Sequence, residues 1–191
     1  RRQLGVVLQD PFLFSGTIAD NIRFGRPEAT DEEVAEAAHA IGVDRITARF
    51  EGGLDHVVRE GGSGLSAGER QLISIARALL ADPRILILDE ATSNIDRPSE
   101  ILIEQAFDTL LRGRTSVIIA HRLATVRRAD EILDMRPERE RHRDFFGRER
   151  LLSHLDELLS APERSSPWIV LAGGEGVGKT AVVARMLARL E

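Results

Sequence analysis

The chain has 191 residues, enough for one medium-sized domain or for one domain with part of a second. Its formal net charge of −5 argues against a nucleic-acid partner, because phosphate backbones are bound by basic surfaces. Cysteine is absent, which excludes disulfides and thiolate metal sites and suits a cytosolic protein. No apolar run approaches the roughly 20 residues of a membrane span, and no signal peptide opens the sequence. The chain begins at Arg1 without a methionine, so we expect it to be a piece of a longer protein.

The first predicted strand covers residues 3–8 and ends at Gln9, because the following Asp10-Pro11 cannot continue a central ladder. Gln9 therefore emerges at a strand end. The apolar run Phe12-Leu13-Phe14 comes next, in a loop flanked by proline and glycine. This run is either ordinary core or a patch that faces a partner.

Thr30 and Glu33 have the spacing of a capping box, which predicts a helix that Gly42 ends. Residues 44–50 predict another short helix, and residues 51–64 form a glycine-rich connection. The inner stripe of the first of these helices is predicted to consist of Val34, Ala37, Ala38 and Ile41.

The stretch from residue 65 to residue 96, LSAGERQLISIARALLADPRILILDEATSNID, joins a predicted helix to a predicted strand. Ser66 and Glu69 form another capping box, so a helix is expected to begin there with free backbone N–H groups, which attract anions. Asp82-Pro83 ends this helix. Residues 85–88 are apolar on both faces, which predicts a central parallel strand covered by helices on each side.

Two adjacent carboxylates, Asp89 and Glu90, follow this strand at its carboxyl end, where open α/β sheets bind ligands. Mg²⁺ with its water would relieve their repulsion. Asp89 would then face the metal, and Glu90 would point at a water to be activated. The alternative is structural: an N-cap aspartate beside a solvated glutamate.

The next helix is predicted to begin at Pro98-Ser99-Glu100 and to end at Gly113. Residues 115–120 predict a buried strand, with His121 at its carboxyl end, and a further strand is predicted at residues 132–135. The face of the helix that is expected to meet the sheet consists of Ile101, Leu102, Ala106, Phe107 and Leu110.

Four sequence motifs resemble, in order and spacing, those of exporter-type ABC transporters; they are QDPFLFSGTIADNI, LSAGE, DEATSNID and IIAHRL. By these motifs, residues 1–135 resemble the C-terminal part of an ABC transporter ATP-binding domain. The resemblance implies an α/β fold with a P-loop NTPase-type, mainly parallel sheet and flanking helices. It also implies a module that binds ATP and Mg²⁺, with no other metal, and hydrolyses ATP to power transmembrane transport.

The same resemblance gives four side chains a role in hydrolysis. Glu90 would be the base of the in-line water attack. Asp89 and Gln9 would hold Mg²⁺, and Gln9 would also touch the attacking water. His121 would bind the γ-phosphate and orient the water together with Glu90.

The signature LSAGE would serve a second copy of the domain. In the family, Ser66 and Gly68 would hold the γ-phosphate of ATP bound by the opposite subunit, and Asp96 belongs to the same nucleotide-binding set. The commoner signature LSGGQ differs at Ala67 and Glu69. The added methyl and the added negative charge predict weaker closure around ATP, although the capping box would hold the Glu69 carboxylate back from the ligand.

The implied partners are a second ATP-binding domain, which would make the chain part of a dimer, and transmembrane domains. The loop after Gln9 would meet the transmembrane domains, and its apolar run would then be a partner-facing patch. A module of this kind lies in the cytoplasm, at the inner face of the membrane.

The composition shifts near residue 136, and residues 136–144 are interpreted as a charged linker. Further on, residues 168–172 predict a strand and residues 181–190 an amphipathic helix. Between them lies the pattern of Gly, four residues and Gly-Lys-Thr, whose glycines let backbone N–H groups converge on phosphates. Lys179, the single lysine of the chain, would add positive charge, and Thr180 would offer a hydroxyl to Mg²⁺. This phosphate loop consists of Gly173, Gly174, Glu175, Gly176, Val177, Gly178, Lys179 and Thr180.

Residues 145–191 contain this loop, with FFGRER upstream, and resemble the start of an AAA-like or STAND-type regulatory NTPase module. The ABC-like part should have a phosphate loop of its own before Gln9, and none is found in this sequence. Two alternatives follow. The chain is either a fusion in which neither half is a complete ATPase, or it forms a composite site in which residues 168–172 fill the slot between strands 115–120 and 132–135.

The predicted function is therefore the ATP-binding and hydrolysis module of an ABC-type exporter. We expect the isolated chain to be a weak ATPase or an inactive one. The alternatives are a regulatory nucleotide switch and an incomplete fusion fragment without activity of its own.

Overall fold

A five-stranded sheet is the centre of the computed structural model, which describes residues 4–89, 95, 97–120, 130–134, 153, 168–172 and 182. A separate antiparallel pair joins β2 (Gly16–Thr17) to β3 (Val57–Val58). The strands of the larger sheet are β1 (Leu4–Val7), β4 (Ile85–Asp89), β5 (Thr115–Ala120), β6 (Glu131–Asp134) and β7 (Trp168–Ala172). They lie in the order β1-β4-β5-β7-β6, and every neighbouring pair is parallel.

The strand β7 is inserted between β5 and β6 and is parallel to both. On one side Ser116 lies opposite Trp168, and on the other Glu131 lies opposite Ile169. Three successive side chains of β7 are completely buried, which is typical of a strand in the middle of a parallel sheet; they are Ile169, Val170 and Leu171. Of the two arrangements that the sequence left open for this strand, the structure has the one in which it fills the slot in the sheet.

The helix α4 (Ala67–Ala81) packs beneath the sheet and contacts β1, α1 (Ile18–Arg23), α2 (Asp31–Ile41) and α5 (Arg97–Leu111). It has the predicted bounds: the Ser66 capping box begins it, and Asp82 ends it in a left-handed conformation with φ of 46°. Its apolar face is buried at Leu72, Ile73, Ile75, Ala76 and Leu80, and Leu79 is partly buried against the core.

The helix α2 confirms the predicted capping box of Thr30 and Glu33 and the predicted end at Gly42, which has φ of 81°. Its predicted inner stripe is buried. The following helix α3 (Asp44–Thr47) is shorter than predicted. The chain leaves it in successive turns toward Gly53, whose φ of 55° is incompatible with a continuing helix.

The helix α5 differs from the prediction in the face that it buries. Ile101 was expected to meet the sheet, but it is 58% exposed, whereas Ile103 is fully buried. The buried stripe runs through Ile103, Ala106 and Leu110, which recur at helical spacing, and Ile101 lies two residues off that stripe, where side chains point away. Leu102 and Phe107 pack against the core as predicted.

The fold class is the predicted one: an α/β, mainly parallel sheet with flanking helices. The strands β5 and β7 have the predicted bounds, and β6 begins and ends one residue earlier than predicted. No helix in the described part of the chain is long and apolar enough to cross a membrane.

Candidate nucleotide site

The carboxyl ends of the five parallel strands share one edge of the sheet. Asp89, the last residue of β4, lies opposite Ile119, which in turn lies opposite Leu171. Neighbouring strands are about 4.8 Å apart, so the backbones of Asp89 and Leu171 are separated by about 10 Å. Asp89 is half-buried. The sheet therefore brings the first predicted carboxylate and the strand that precedes the phosphate loop to the same edge.

Gln9 lies at this edge as well, two residues beyond the end of β1, and its side chain is exposed. The segment before it is tied to α4, because the buried Gln71 donates from Nε2 to the carbonyl oxygen of Leu8 at 3.4 Å. Parallel pairing of β1 with β4 brings Val7 opposite Leu88. Gln9 and Asp89 thus lie at the carboxyl ends of adjacent strands.

Several predicted site residues lie outside the described residues, and their roles stay predictions. In the ABC-like part these are Glu90, Asp96 and His121. In the C-terminal segment they are the eight residues of the phosphate loop, 173–180. Among the residues that the structure describes, no group of three or more histidines and carboxylates forms a metal site.

The signature segment is held by a network around Glu69. The Glu69 carboxylate accepts the backbone N–H of Ser66 and the Nη2 of Arg49, both at 2.7 Å through Oε2. The Ser66 hydroxyl accepts the backbone N–H of Glu69 at 3.2 Å. The predicted capping box of Ser66 and Glu69 is confirmed, and Arg49 offsets part of the negative charge of Glu69.

Gly68, the glycine of the signature, is buried against the start of α5. A Cβ at Gly68 would lie 2.6 Å from the Cβ of Ser99 and 2.9 Å from its Oγ, and 3.5 Å from Cγ2 of Ile95. Real Cβ atoms do not approach other atoms so closely. The signature is therefore in contact with the segment that follows the acidic pair in sequence, and glycine is required for that contact.

An aromatic patch lies beside the Gln9 segment and consists of Phe12, Phe14 and Phe24, which are 49%, 41% and 59% exposed. The ring of Phe14 is 5.2 Å from that of Phe12 and 4.6 Å from that of Phe24. Leu13, between the two phenylalanines, is fully buried. The prediction of a three-residue patch is thus wrong for Leu13, because alternate side chains of an extended segment point to opposite sides.

Arg77 of α4 fastens the patch to the body of the domain. It donates from Nε to the carbonyl oxygen of Asn21 at 2.8 Å and from Nη1 to that of Phe12 at 3.1 Å. Its guanidinium carbon lies 5.7 Å from the ring centre of Phe14 and 5.6 Å from that of Phe24. Burial lowers the pKa of Arg77 below its ordinary value, and the surrounding carbonyls and rings favour the charged form.

Asn21 is the second member of this anchor and is buried, at 2% exposure. Its Oδ1 accepts the backbone N–H of Phe14 at 2.9 Å and Nη2 of Arg77 at 3.1 Å. Its Nδ2 donates to the carbonyl oxygens of Phe14 and Thr17, both at 3.0 Å. The Asn21 side chain thereby forms hydrogen bonds with backbone groups of both Phe14 and Thr17, at the two ends of the loop between them.

Sequence reasoning missed Arg49, Asn21 and Arg77. For Arg77 a signal was present, because it is a charged residue in an otherwise apolar helical run. The partner of Arg49 is 20 residues away, and that of Arg77 is 56 residues away, so spacing alone gave no sign of either contact.

Known proteins resemble the N-terminal part of the chain. Residues 1–93 match the family model described as "ABC transporter". An uncharacterized ABC transporter ATP-binding protein, YknV of Bacillus subtilis (strain 168), is 60% identical over 133 residues, which are 70% of this chain and 22% of the relative. A fatty acid ABC transporter ATP-binding/permease protein of Mycobacterium tuberculosis (strain CDC 1551 / Oshkosh) is 51% identical over 152 residues, 78% of this chain and 24% of the relative.

A solved structure gives the same result. A bacterial Atm1-family ABC exporter with ATP bound is 42% identical, with a TM-score of 0.59, over 68% of this chain and 22% of that chain. The chain thus spans less than a quarter of the length of these relatives. The N-terminal part of the chain is thus similar to the ATP-binding domains of exporter-type ABC transporters.

Proposed function

We propose that this chain binds and hydrolyses ATP as the nucleotide-binding module of an ABC-type exporter and so powers transmembrane transport. The observation that carries the proposal is the position of Asp89 at the carboxyl end of β4. In the same parallel sheet, β1 leads to Gln9 and β7 leads to the predicted phosphate loop. Such an edge is the ligand-binding edge of open α/β sheets. The relatives that carry the printed names of ABC transporters and exporters support the same assignment.

The side chains at this edge fit a magnesium nucleotide. Asp89 and Gln9 offer oxygen ligands, which Mg²⁺ prefers, and Thr180 would offer a third. Mg²⁺ held there would neutralise charge on the phosphates of ATP. Glu90 would take the proton of the attacking water, and His121 would orient that water and contact the γ-phosphate.

A second copy of the domain is the proposed partner at the signature. Ser66 is exposed and caps the amino end of α4, where backbone N–H groups favour an anion. The packing of Gly68 on Ser99 holds this end in place. We propose that Ser66 and Gly68 contact ATP held by the opposite subunit and that Asp96 is a further nucleotide-binding residue.

Transmembrane domains are the proposed partner at the aromatic patch. Three exposed phenylalanine rings in contact form an apolar surface that is unusual on a free monomer. Arg77 and Asn21 hold this surface rigidly against α4. In this assignment the module lies in the cytoplasm at the inner face of the membrane.

For the C-terminal part we propose a charged linker at residues 136–144 and the start of a second P-loop NTPase module at residues 145–191. The glycine-rich pattern with Lys179 and Thr180 supports this division. A regulatory nucleotide switch is the alternative function. It would show as tight ATP binding without turnover at any concentration of the chain.

The test is nucleotide binding followed by turnover, on the whole 191-residue chain. Calorimetry should detect binding of MgATP. Phosphate release should be slow, and its rate per chain should rise with chain concentration, because a complete site needs two copies. Glu90→Gln should lower that rate by about 10²-fold, as loss of a general base does. Glu104→Gln, at an exposed position of α5, is the matched control and should leave it unchanged. A Glu90→Gln variant as active as the control would contradict the assignment.

A further inference from the structure

We propose that Arg49 is a positioning residue for the signature, and that its pairing with Glu69 allows this segment to accept the phosphates of ATP held by a second copy of the chain. The inference rests on the proposed role of Ser66 and Gly68 at that nucleotide. It adds an arginine outside the signature, 20 residues from Glu69 along the chain, to the groups that determine the affinity of the second copy.

The polar contacts of Arg49 converge on the start of α4. Its Nη2 donates to Oε2 of Glu69 at 2.7 Å and to the carbonyl oxygen of Gly64, just before the signature, at 3.4 Å. The same Oε2 accepts the backbone N–H of Ser66 at 2.7 Å, so a single carboxylate oxygen joins the guanidinium to the backbone of Ser66. A change at Arg49 therefore acts directly on the residue that is proposed to meet the second nucleotide.

The charge of Glu69 is the reason that this contact matters for an anionic ligand. Glutamine serves in capping boxes as glutamate does, so the cap itself does not need the charge. A carboxylate at the amino end of α4 reduces the positive potential of the free backbone N–H groups and repels a polyphosphate. The guanidinium of Arg49 restores that potential, because it brings a positive charge within hydrogen-bond distance of the carboxylate.

Arg70, the neighbour of Glu69 in sequence, is directed elsewhere. Its Nη1 donates to the carbonyl oxygen of Leu65 at 2.7 Å, and its aliphatic part packs against Gly62, where an added Cβ would lie 2.5 Å from Cδ of Arg70. In the part of the chain that the structure describes, the salt bridge of Glu69 is made by Arg49. The compensation of the carboxylate is therefore assigned to Arg49.

Ring contacts hold Arg49 in this position, although 50% of its side chain is exposed. The guanidinium carbon lies 4.6 Å from the ring centre of Phe50, and that ring stacks on the ring of His56 with the centres 3.8 Å apart. The carbonyl oxygen of His56 accepts the backbone N–H of Ile18 in α1, which ties the stack to the body of the domain. An arginine held in this way has fewer arrangements to lose on pairing than a free surface side chain does, and its exposed half remains open to an approaching ligand.

ATP-dependent dimerisation of the whole chain tests the inference, measured by analytical ultracentrifugation in saturating MgATP. The parent and all variants carry Glu90→Gln, which should slow the consumption of ATP. Arg49→Gln should weaken the dimer about fivefold, because the charge of Glu69 is then uncompensated near the phosphates. Adding Glu69→Gln should restore the dimer to within about twofold of the parent, since neither charge remains. The loss in Arg49→Gln should also shrink between about 0.05 M and about 0.5 M salt, because salt screens the repulsion.

Arg112→Gln is the matched control, because it removes a guanidinium group at an exposed position after α5 and should leave the dimer unchanged. Thermal unfolding of each variant shows whether the fold is kept. An Arg49→Gln variant that dimerises as well as Arg112→Gln would overturn the inference. A loss in Arg49→Gln that neither Glu69→Gln nor salt alters would also overturn it, since the arginine would then act through packing and not through charge.

The same measurements separate this inference from the proposed function. A parent chain that binds no MgATP in calorimetry would overturn both. A parent chain that binds MgATP but stays monomeric at every concentration would overturn the inference and the proposed second copy, while the assignment of ATP binding would stand.

Discussion

The carboxylate of Glu69 accepts the backbone N–H of Ser66 at 2.7 Å, and the same oxygen accepts Nη2 of Arg49 at 2.7 Å. The sequence predicted that the negative charge of Glu69 would be unfavourable near a polyphosphate. In the structure this carboxylate faces the amino end of α4 and is paired with the guanidinium of Arg49. The side chain of Glu69 is largely buried in this position, at 16% exposure. Its role in the free domain is to hold the signature in shape.

Glu69→Ala should destabilise the domain by about 1 kcal/mol, because the reciprocal hydrogen bond of the capping box is lost. Glu69→Gln should cost less, since glutamine also serves in capping boxes and only the charge pairing with Arg49 is lost. Denaturant unfolding of both variants measures the difference. Equal losses of stability would show that the charge rather than the cap stabilises this end of α4.

Arg77→Ala should lower the free energy of unfolding by about 2–4 kcal/mol, because three hydrogen bonds are lost and buried acceptors are left without a donor. Arg77→Lys should recover little, since an ammonium group does not reproduce the fork that reaches Asn21 and Phe12 together. The matched control is Arg112→Lys at an exposed position after α5. Chemical denaturation decides the point, and an Arg77→Lys variant as stable as the control would refute the anchoring role.

Gly68→Ala should destabilise the domain by about 1–3 kcal/mol, because the new methyl group overlaps Ser99. In a Ser99→Gly background the same substitution should cost less, since the atoms that it meets have been removed. A four-variant unfolding cycle measures this coupling. Additive effects would mean that the signature and α5 do not touch in solution as described.

Asp20 gives a pH-dependent contribution to stability. The backbone N–H of Thr17 donates to the Asp20 carboxylate at 2.9 Å, and this hydrogen bond is the main reason that the pKa of Asp20 is lowered from 3.8. Because the folded pKa lies below the unfolded one, the contribution is present at neutral pH and is lost as the pH falls below 3.8 and through the folded pKa. Unfolding free energies of wild type and Asp20→Asn should therefore differ at pH 7 and converge toward pH 2. A difference that stays constant over this range would disprove the linkage.

Local patterns predicted the ends of α2 and α4 well, because each capping box depends on residues only three positions apart. The capping boxes at Thr30 and Ser66 are examples. Which side chains of α5 are buried was harder to predict from the sequence. Ile101 and Ile103 are both apolar, and packing of α5 against α2 and α4 decides that Ile103 is the buried one. The anchors made by Arg49 and Arg77 depend on contacts between distant segments, which spacing does not encode.

The place of β7 was left open by the sequence for the same reason. Residues 168–172 form a strand by local preference, and the slot beside β5 was implied by the family resemblance of the N-terminal part. Whether the two meet depends on pairing across the long connection from Asp134 to Trp168, for which side-chain fit was the unknown. The observed register, with both faces of β7 buried, answers that question in favour of insertion.

Hydrogen exchange of the backbone amides of Trp168–Ala172 tests this account most directly. A strand paired on both sides and buried on both faces opens only in large unfolding events, so these amides should exchange as slowly as those of Ile85–Asp89 in β4. The amide of the exposed Gly52, in the connection after α3, is the internal reference for fast exchange. Exchange of Trp168–Ala172 at the rate of that reference, while β4 remains protected, would show that β7 is not part of the sheet and would contradict the account.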